Sequence, residues 1–380
     1  MTRVWERLND ERGFALAMAI FALVLLAAVV AGGYFSASQE YQIGRGMRSL
    51  TTSIYAGEAG IREILDRWDP EGMATLSAGD TVTFGPVTLE GGGSYIGRVI
   101  RVGVPADSLK RYFYIEAVGR PPLPSLGERR QGLVVRARYP RFSFEAAVRA
   151  YDAITFGGKN DEIIGLDQLI TAWGALCDAF AFHDTAGVNA RDPLRINEPT
   201  QVVGNPAIIS NYPGSSEGDI FLPEYTWSEL VALADHHVAN GTSFNGSTGS
   251  VVDGRCNRAD PKNLGMPENT GHACFRYFPV IHVNGTATLK GGPMQGIFLA
   301  EEDFDLQGPV TVYGILMTRN DLYLSGPSEI YGFTWVADDI HYSGAVPRIY
   351  RSNCAAQRAI LLSNFTRPTP VDGRAWAELF

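Results

Sequence analysis

The sequence predicts an α+β, mainly β protein in three parts: a long N-terminal helix, transmembrane and then amphipathic; a small antiparallel sheet; and a C-terminal parallel β-helix with about 18 residues per coil. Three observations carry that prediction. Residues Phe14 to Phe35 hold 22 positions without a charge. No proline occurs from Val4 through Asp69, and Pro70 follows directly. Near the C-terminus Gly296, Gly314 and Gly332 recur every 18 residues, and so do Gly308, Gly326 and Gly344.

Composition bounds the rest. With 45% hydrophobic and 19% charged residues, most of the 380-residue chain folds rather than staying disordered. Its 42 glycines and 21 prolines favour turn-dense β structure over helical bundles. A net charge of -9, with no basic run after the apolar segment, argues against a nucleic-acid partner. Four cysteines are compatible with two disulfides in an oxidising compartment.

The apolar run rises about 33 Å as a helix, enough to cross a bilayer core. Arg3, Arg7 and Arg12 precede it and the next basic residue is Arg45. That asymmetry places the N-terminus in the cytoplasm and the rest of the chain outside it. A cleaved signal peptide is the plain alternative, with Ala31-Gly32-Gly33 mimicking its cleavage site, but such peptides carry about 7–15 apolar residues. Here helical patterning continues instead. Ala37, Tyr41, Met47, Leu50, Ile54, Ile61, Leu65 and Trp68 form one apolar stripe, and Pro70 stops the helix. A continuous helix from Phe14 to Trp68 is about 80 Å long, with Gly32-Gly33 and Gly44/Gly46 as its bend points.

The junction Arg12-Gly13-Phe14 resembles a prepilin-peptidase site, where cleavage follows glycine and leaves Phe14 as the new N-terminus. Ala56-Gly57-Glu58-Ala59-Gly60 resembles the A-x-E-A-G element of the PilX N-terminal family of type IV pilus minor pilins. The resemblance covers residues 11–68. It implies a structural subunit whose partners are other pilins or pseudopilins, the prepilin peptidase and the inner membrane. Major pilins carry a glutamate at the fifth position after the cut, where this chain has Met18. That carboxylate can neutralise a neighbour's α-amino group inside an apolar core. PilX-like minor pilins and the K-type minor pseudopilin of type II secretion share its absence, which implies a rare initiating or tip-proximal subunit. Proteins of this kind often continue into a glycine-punctuated β-helix, and Cys274 to Gly285 is similar to the entry into one.

Beyond Pro70, Thr81–Phe84, Tyr95–Val102, Arg111–Val118 and Gln131–Arg138 alternate as four strands, which pack on the distal half of the helix. In the glycine-repeat region, Glu302–Gly308, Asn320–Gly326 and Asp338–Gly344 align, as do Ile297–Leu299, Ile315–Met317 and Phe333–Trp335. Two short strands and two glycine turns at a fixed period mark a right-handed solenoid. Asn284–Gly291 and Ile154–Gly165 resemble further coils, which makes 166–275 an excursion containing a helix over Thr226–Val238. Asn353–Phe365 is helical in pattern and is expected to cap the last coil.

The predicted organisation is therefore a leader (1–13), the transmembrane half-helix (14–35), the outer half-helix (36–69), an antiparallel β domain (70–150), first coils with a loop-rich insertion (151–275), the β-helix (276–346), and a capping helix with tail (347–380). The sequence assigns no catalytic, cofactor-binding or metal-ligating residue. Asp303, Asp321 and Asp339 stack at one corner, either as a calcium site or as turn residues bonded to backbone amides, with the second favoured. His236-His237 sit on the expected helix and diverge by about 100°. Tyr313, Tyr331 and Trp335 are stacking residues before they are sugar platforms. Cys256 and Cys274 bracket a loop-like segment and are expected to be bridged; Cys177 and Cys354 remain as the second pair, with free buried cysteines as the alternative. The alternative is a membrane-anchored β-helical adhesin or binding module outside any filament; an enzyme on a β-helix scaffold is the third reading, and nothing in the sequence argues for it, so no enzyme is expected.

Overall fold

A computed structural model of the chain describes residues 3–103, 109–122, 127–140, 144–180, 183–212, 220, 225–246, 249–344, 346–371 and 376–379, with backbone alone for 3–13 and 376–379. Helix α1 (Arg3–Asp66) runs 64 residues without interruption, about 96 Å at 1.5 Å per residue. Gly32, Gly33, Gly44 and Gly46 lie inside it, and a Cβ at any of them would touch nothing. Pro70 does more than stop it: it opens α2 (Pro70–Thr75), where a first-turn proline gives up no hydrogen bond.

Strands β1 (Thr81–Thr88), β2 (Ser94–Val102), β3 (Lys110–Arg120) and β4 (Arg129–Arg138) form an antiparallel sheet in sequence order. Its inner face, with Val99, Phe113, Ile115, Ala117, Leu133 and Val135, packs on Ile61 and Ile64 of α1. The distal part of the expected stripe, Ile61, Leu65 and Trp68, meets this cluster, but its proximal part does not. Ser49, Ser53, Ala56, Gly57, Gly60, Ile61 and Ile64 are buried, whereas Ala37, Tyr41 and Met47 of the expected stripe are exposed. Close backbone approach is the reason. A Cβ on Gly119 of β3 would stand 1.9 Å from the Ser53 carbonyl oxygen, and one on Gly60 would stand 2.6 Å from the Tyr95 ring. Only small residues fit so near a sheet.

Most of the strands that follow build one large curled parallel sheet. Its first strands are β5 (Ala146–Ala150), β6 (Ile154–Thr155), β7 (Glu162–Ile164), β8 (Ala186–Ala190), β9 (Val202–Val203) and β10 (Ile208–Ile209). After α3 (Trp227–Ala232) come β11 (His236–Ala239), β12 (Thr242–Asn245) and a separate hairpin, β13 (Val251–Val252) with β14 (Arg255–Cys256). Then follow β15 (Val280–Asn284), β16 (Ala287–Ala300), β17 (Phe304–Thr318), β18 (Leu322–Ser325), β19 (Glu329–Val336), β20 (Ile340–Ser343) and β21 (Arg348–Arg351). The longest path through the sheet is β10-β8-β5-β19-β17-β16-β15-β11. The chain thus enters the stack in its middle. The stretch 151–275, expected as opening coils with an insertion, contributes strands at both ends, in pieces of two to five residues without the glycine signature.

Along the glycine region the pairing steps by 18: Gly314 opposes Gly332, and Phe304 opposes Leu322, which opposes Ile340. Each step holds three runs rather than two, because Val310 and Val312, and then Ile330, form an additional buried run between the two glycine series. Phe298, Leu316 and Val336 point into one apolar core. Their neighbours Ile297, Leu299, Ile315, Met317, Phe333 and Trp335 point outward into a second. Both faces of that run are covered, which is why it reads as continuous apolar sequence.

Helix α4 (Asn353–Leu362) forms part of that cover. It lies across β16, β17 and β19, with Ala359 against Gly314, rather than over the end of the stack as expected. The chain then returns to the first sheet. β22 (Thr369–Pro370) and β23 (Trp376–Leu379) pair antiparallel with β4. A partly buried ion cluster ties the two halves further: Glu71 of α2 meets the buried Arg358 of α4 at 2.8 Å and the half-exposed Arg276 at 2.8 Å. Arg358 also sits over the rings of Trp173 and Phe275.

Candidate interaction surface

Helix α1 divides into a bare half and a packed half. From Phe14 to Phe35 every residue is exposed, and this helix is long and apolar enough to cross a membrane. It is a candidate single-pass anchor. Leaving that much apolar surface uncovered has no rationale in water, so the surface belongs in lipid or against other helices. Phe14 and Met18 lie on it, while the side-chain surroundings of the residues up to Gly13, the first half of the expected cleavage junction, fall outside the described residues.

Exposure of large apolar groups does not stop where the uncharged run ends. Tyr41, Ile43, Met47 and Tyr55 are all more than 60% exposed, at 71%, 63%, 62% and 65%. The A-x-E-A-G element acquires a physical role here. Ala56, Gly57 and Gly60 are the buried positions that let the helix backbone lie on β3. From Ser49 to Gly60 the packed half of the helix therefore uses small residues inward, while Tyr41, Ile43, Met47 and Tyr55 stay outward.

On the parallel sheet, the aspartate corner resolves into a ladder of side-chain-to-backbone bonds. Asp321 N–H donates to Asp303 Oδ1 at 3.1 Å, and Asp339 N–H donates to Asp321 Oδ1 at 3.1 Å. Ala153 N–H donates to Asp339 Oδ1 at 2.7 Å. Asn240 serves the same purpose, taking the Thr286 N–H at 2.9 Å. Each side chain thus satisfies an amide of the next step, where the corner breaks the strand pairing. Asp321 Oδ2 accepts the Tyr323 hydroxyl at 2.8 Å, a bond that helps push that phenol up to about 12.

The other sequence-marked residues are placed as follows. Gly296, Gly314 and Gly332 stack with φ between +137° and +146°, and Gly308, Gly326 and Gly344 with φ between +71° and +89°. Tyr313, Tyr331 and Tyr350 stack face to face, with centroids 5.4 and 4.7 Å apart, and Trp173 tilts against Tyr313. Trp335 is fully buried. A sugar platform needs an open ring face, and these rings cover one another. His236 and His237 lie on a strand instead of a helix, because α3 ends at Ala232 and β11 pairs with β15. They point to opposite sides, His236 to the Tyr277 hydroxyl and His237 to His282. Cys256 is bonded to Cys274, and Cys177, the last residue of a 3-10 turn (Thr171–Cys177), to Cys354 of α4. Asn240, Trp227 and Glu301 carry no local signal of their places in polar networks, since their partners are distant in the chain.

No protein-family model matches the chain. No curated protein matches it either. Among solved structures, the competence-associated pilin ComZ from Thermus thermophilus aligns over 87% of this chain and 97% of its own, at 11% identity and a TM-score of 0.22. So loose a likeness establishes neither fold nor role.

Proposed function

We propose that this chain is a minor pilin or pseudopilin-like subunit of a type IV pilus or a related secretion or assembly machine, and that it acts by assembly rather than catalysis. One observation carries the proposal: a single helix is bare and apolar for a membrane's thickness, then continues outward onto a sheet while Tyr41, Ile43, Met47 and Tyr55 stay exposed. A plain anchor needs only the first of these features. Tyr41, Ile43 and Met47, placed beyond the span, favour a helix that packs among other helices over a lone anchored adhesin.

In this account residues 1–13 are a cytoplasmic leader removed by prepilin peptidase between Gly13 and Phe14, and the anchor sits in the inner membrane with the main body outside. Met18 supplies no carboxylate to a neighbour's α-amino group, which fits an initiating or tip-proximal position. The curled sheet is a right-handed solenoid of about 18 residues per coil, turned at Gly308, Gly326 and Gly344 and displayed as the head. The pilin-like domain is 70–150, joined by the C-terminal strands. Photo-crosslinking tests the proposal. A benzophenone side chain at Met47, in cells that hold the assembly machinery, is expected to form adducts with other pilin-type subunits. The same group at Lys290, on the distant sheet, is expected to form none with them. Adducts to lipid alone at Met47, or none, would return the chain to the anchored-module reading.

A further inference from the structure

Strands β11 and β15 pair in parallel with His237 directly opposite His282. Their Nδ1 atoms lie 3.1 Å apart, with the two rings inclined at 74°. His282 is buried, and its other nitrogen, Nε2, lies 3.1 Å from Glu301 Oε1. Glu301 is itself fixed: Trp227 Nε1–H donates to Oε1 at 2.7 Å and Arg319 Nη1–H to Oε2 at 2.8 Å.

With N–H donors already on both of its oxygens, Glu301 is the acceptor toward His282, which places the His282 proton on Nε2. The Nδ1 lone pair is then directed at His237. We propose that His237 and His282 form a binding site for a divalent late transition-metal ion, such as Zn2+ or Cu2+, through their two Nδ1 atoms. Two bonds of about 2.0–2.1 Å at a tetrahedral angle span about 3.3–3.4 Å between nitrogens, a few tenths more than the present separation. Imidazole is a preferred donor for these ions, and a carboxylate behind the ligating ring is the arrangement that orients metal-bound histidines and raises their basicity. His237 is exposed, so the remaining coordination positions face solvent and take water or an outside donor. Without an ion, one proton shared between the two Nδ1 atoms occupies the same place.

The site is independent of the pilin reading, and its test reads the ion directly. The full chain, in detergent and without a histidine tag, is titrated with Zn2+ by calorimetry and with Cu2+ by electron paramagnetic resonance. One ion per chain is expected, with hyperfine coupling to two nitrogens for Cu2+. His237→Ala, a change at an exposed residue, is expected to weaken binding by more than about 30-fold, and Glu301→Gln by about 10-fold. His341→Ala, beside Asp321 at the aspartate corner, should leave affinity unchanged. Absence of stoichiometric binding, equal binding by His237→Ala, or loss in His341→Ala would each overturn the assignment.

Discussion

Gly332→Ala is expected to cost more than about 4 kcal/mol and to leave the parallel sheet unfolded or aggregated, whereas Gly308→Ala costs about 1 kcal/mol. Both glycines have positive φ, +146° and +71°. Space separates them. A Cβ on Gly332 would stand 1.8 Å from the Gly314 carbonyl oxygen, and one on Gly308 would meet nothing within 4 Å. The clash at Gly332 is with backbone, and Gly332 is paired with Gly314 on one side and Arg351 on the other. Neither neighbour can retreat without breaking a strand ladder. Thermal unfolding of the two purified variants measures the contrast, at about 2–4 °C per kcal/mol for a domain of this size. Equal shifts for the two would mean that the glycines are not stacked through successive strands.

Removing the bridge between Cys177 and Cys354 is expected to be the more damaging of the two disulfide losses. It spans 177 residues, against 18 for Cys256 and Cys274. In the chain-entropy treatment these closures contribute about 5 and about 3 kcal/mol. Location adds to the difference. Both Cys177 and Cys354 are fully buried among Trp173, Ala355 and Phe365, under the helix that covers β16, β17 and β19. The double replacements Cys177→Ser/Cys354→Ser and Cys256→Ser/Cys274→Ser, compared by denaturant unfolding without reductant, test the order. A loss at the shorter loop as large as that at the longer one would contradict it.

Much of this architecture is legible in the residues, and its limits have physical causes. The four strands from Thr81 to Arg138 announce themselves by alternation, and the glycine periods reveal the parallel steps because a corner with positive φ tolerates little else. The inward face of α1 is legible only at its far end, where Ile61, Leu65 and Trp68 meet the sheet; nearer the apolar run the contact is made by serine, alanine and glycine, which hydrophobicity does not mark. Strands β8 to β12 are too short for a pattern and carry no glycine signature. The return of β22 and β23 to β4 is a pairing across more than two hundred residues, which local sequence does not encode. Of the candidate surface, the bare apolar half of α1 is plain from composition, and the aspartate ladder follows from turn chemistry. The His237–His282 contact depends on the register of two strands 45 residues apart, and reading His237 as helical conceals it.

The account turns on whether α1 is a pilin helix, and the N-terminus of the protein purified from its native membranes measures that most directly. Intact mass and N-terminal peptide sequencing are predicted to give a chain that starts at Phe14, with the residues up to Gly13 retained only when prepilin peptidase is inactivated. A chain that keeps those residues beside an active prepilin peptidase, or that is cut near Gly33, would contradict the account.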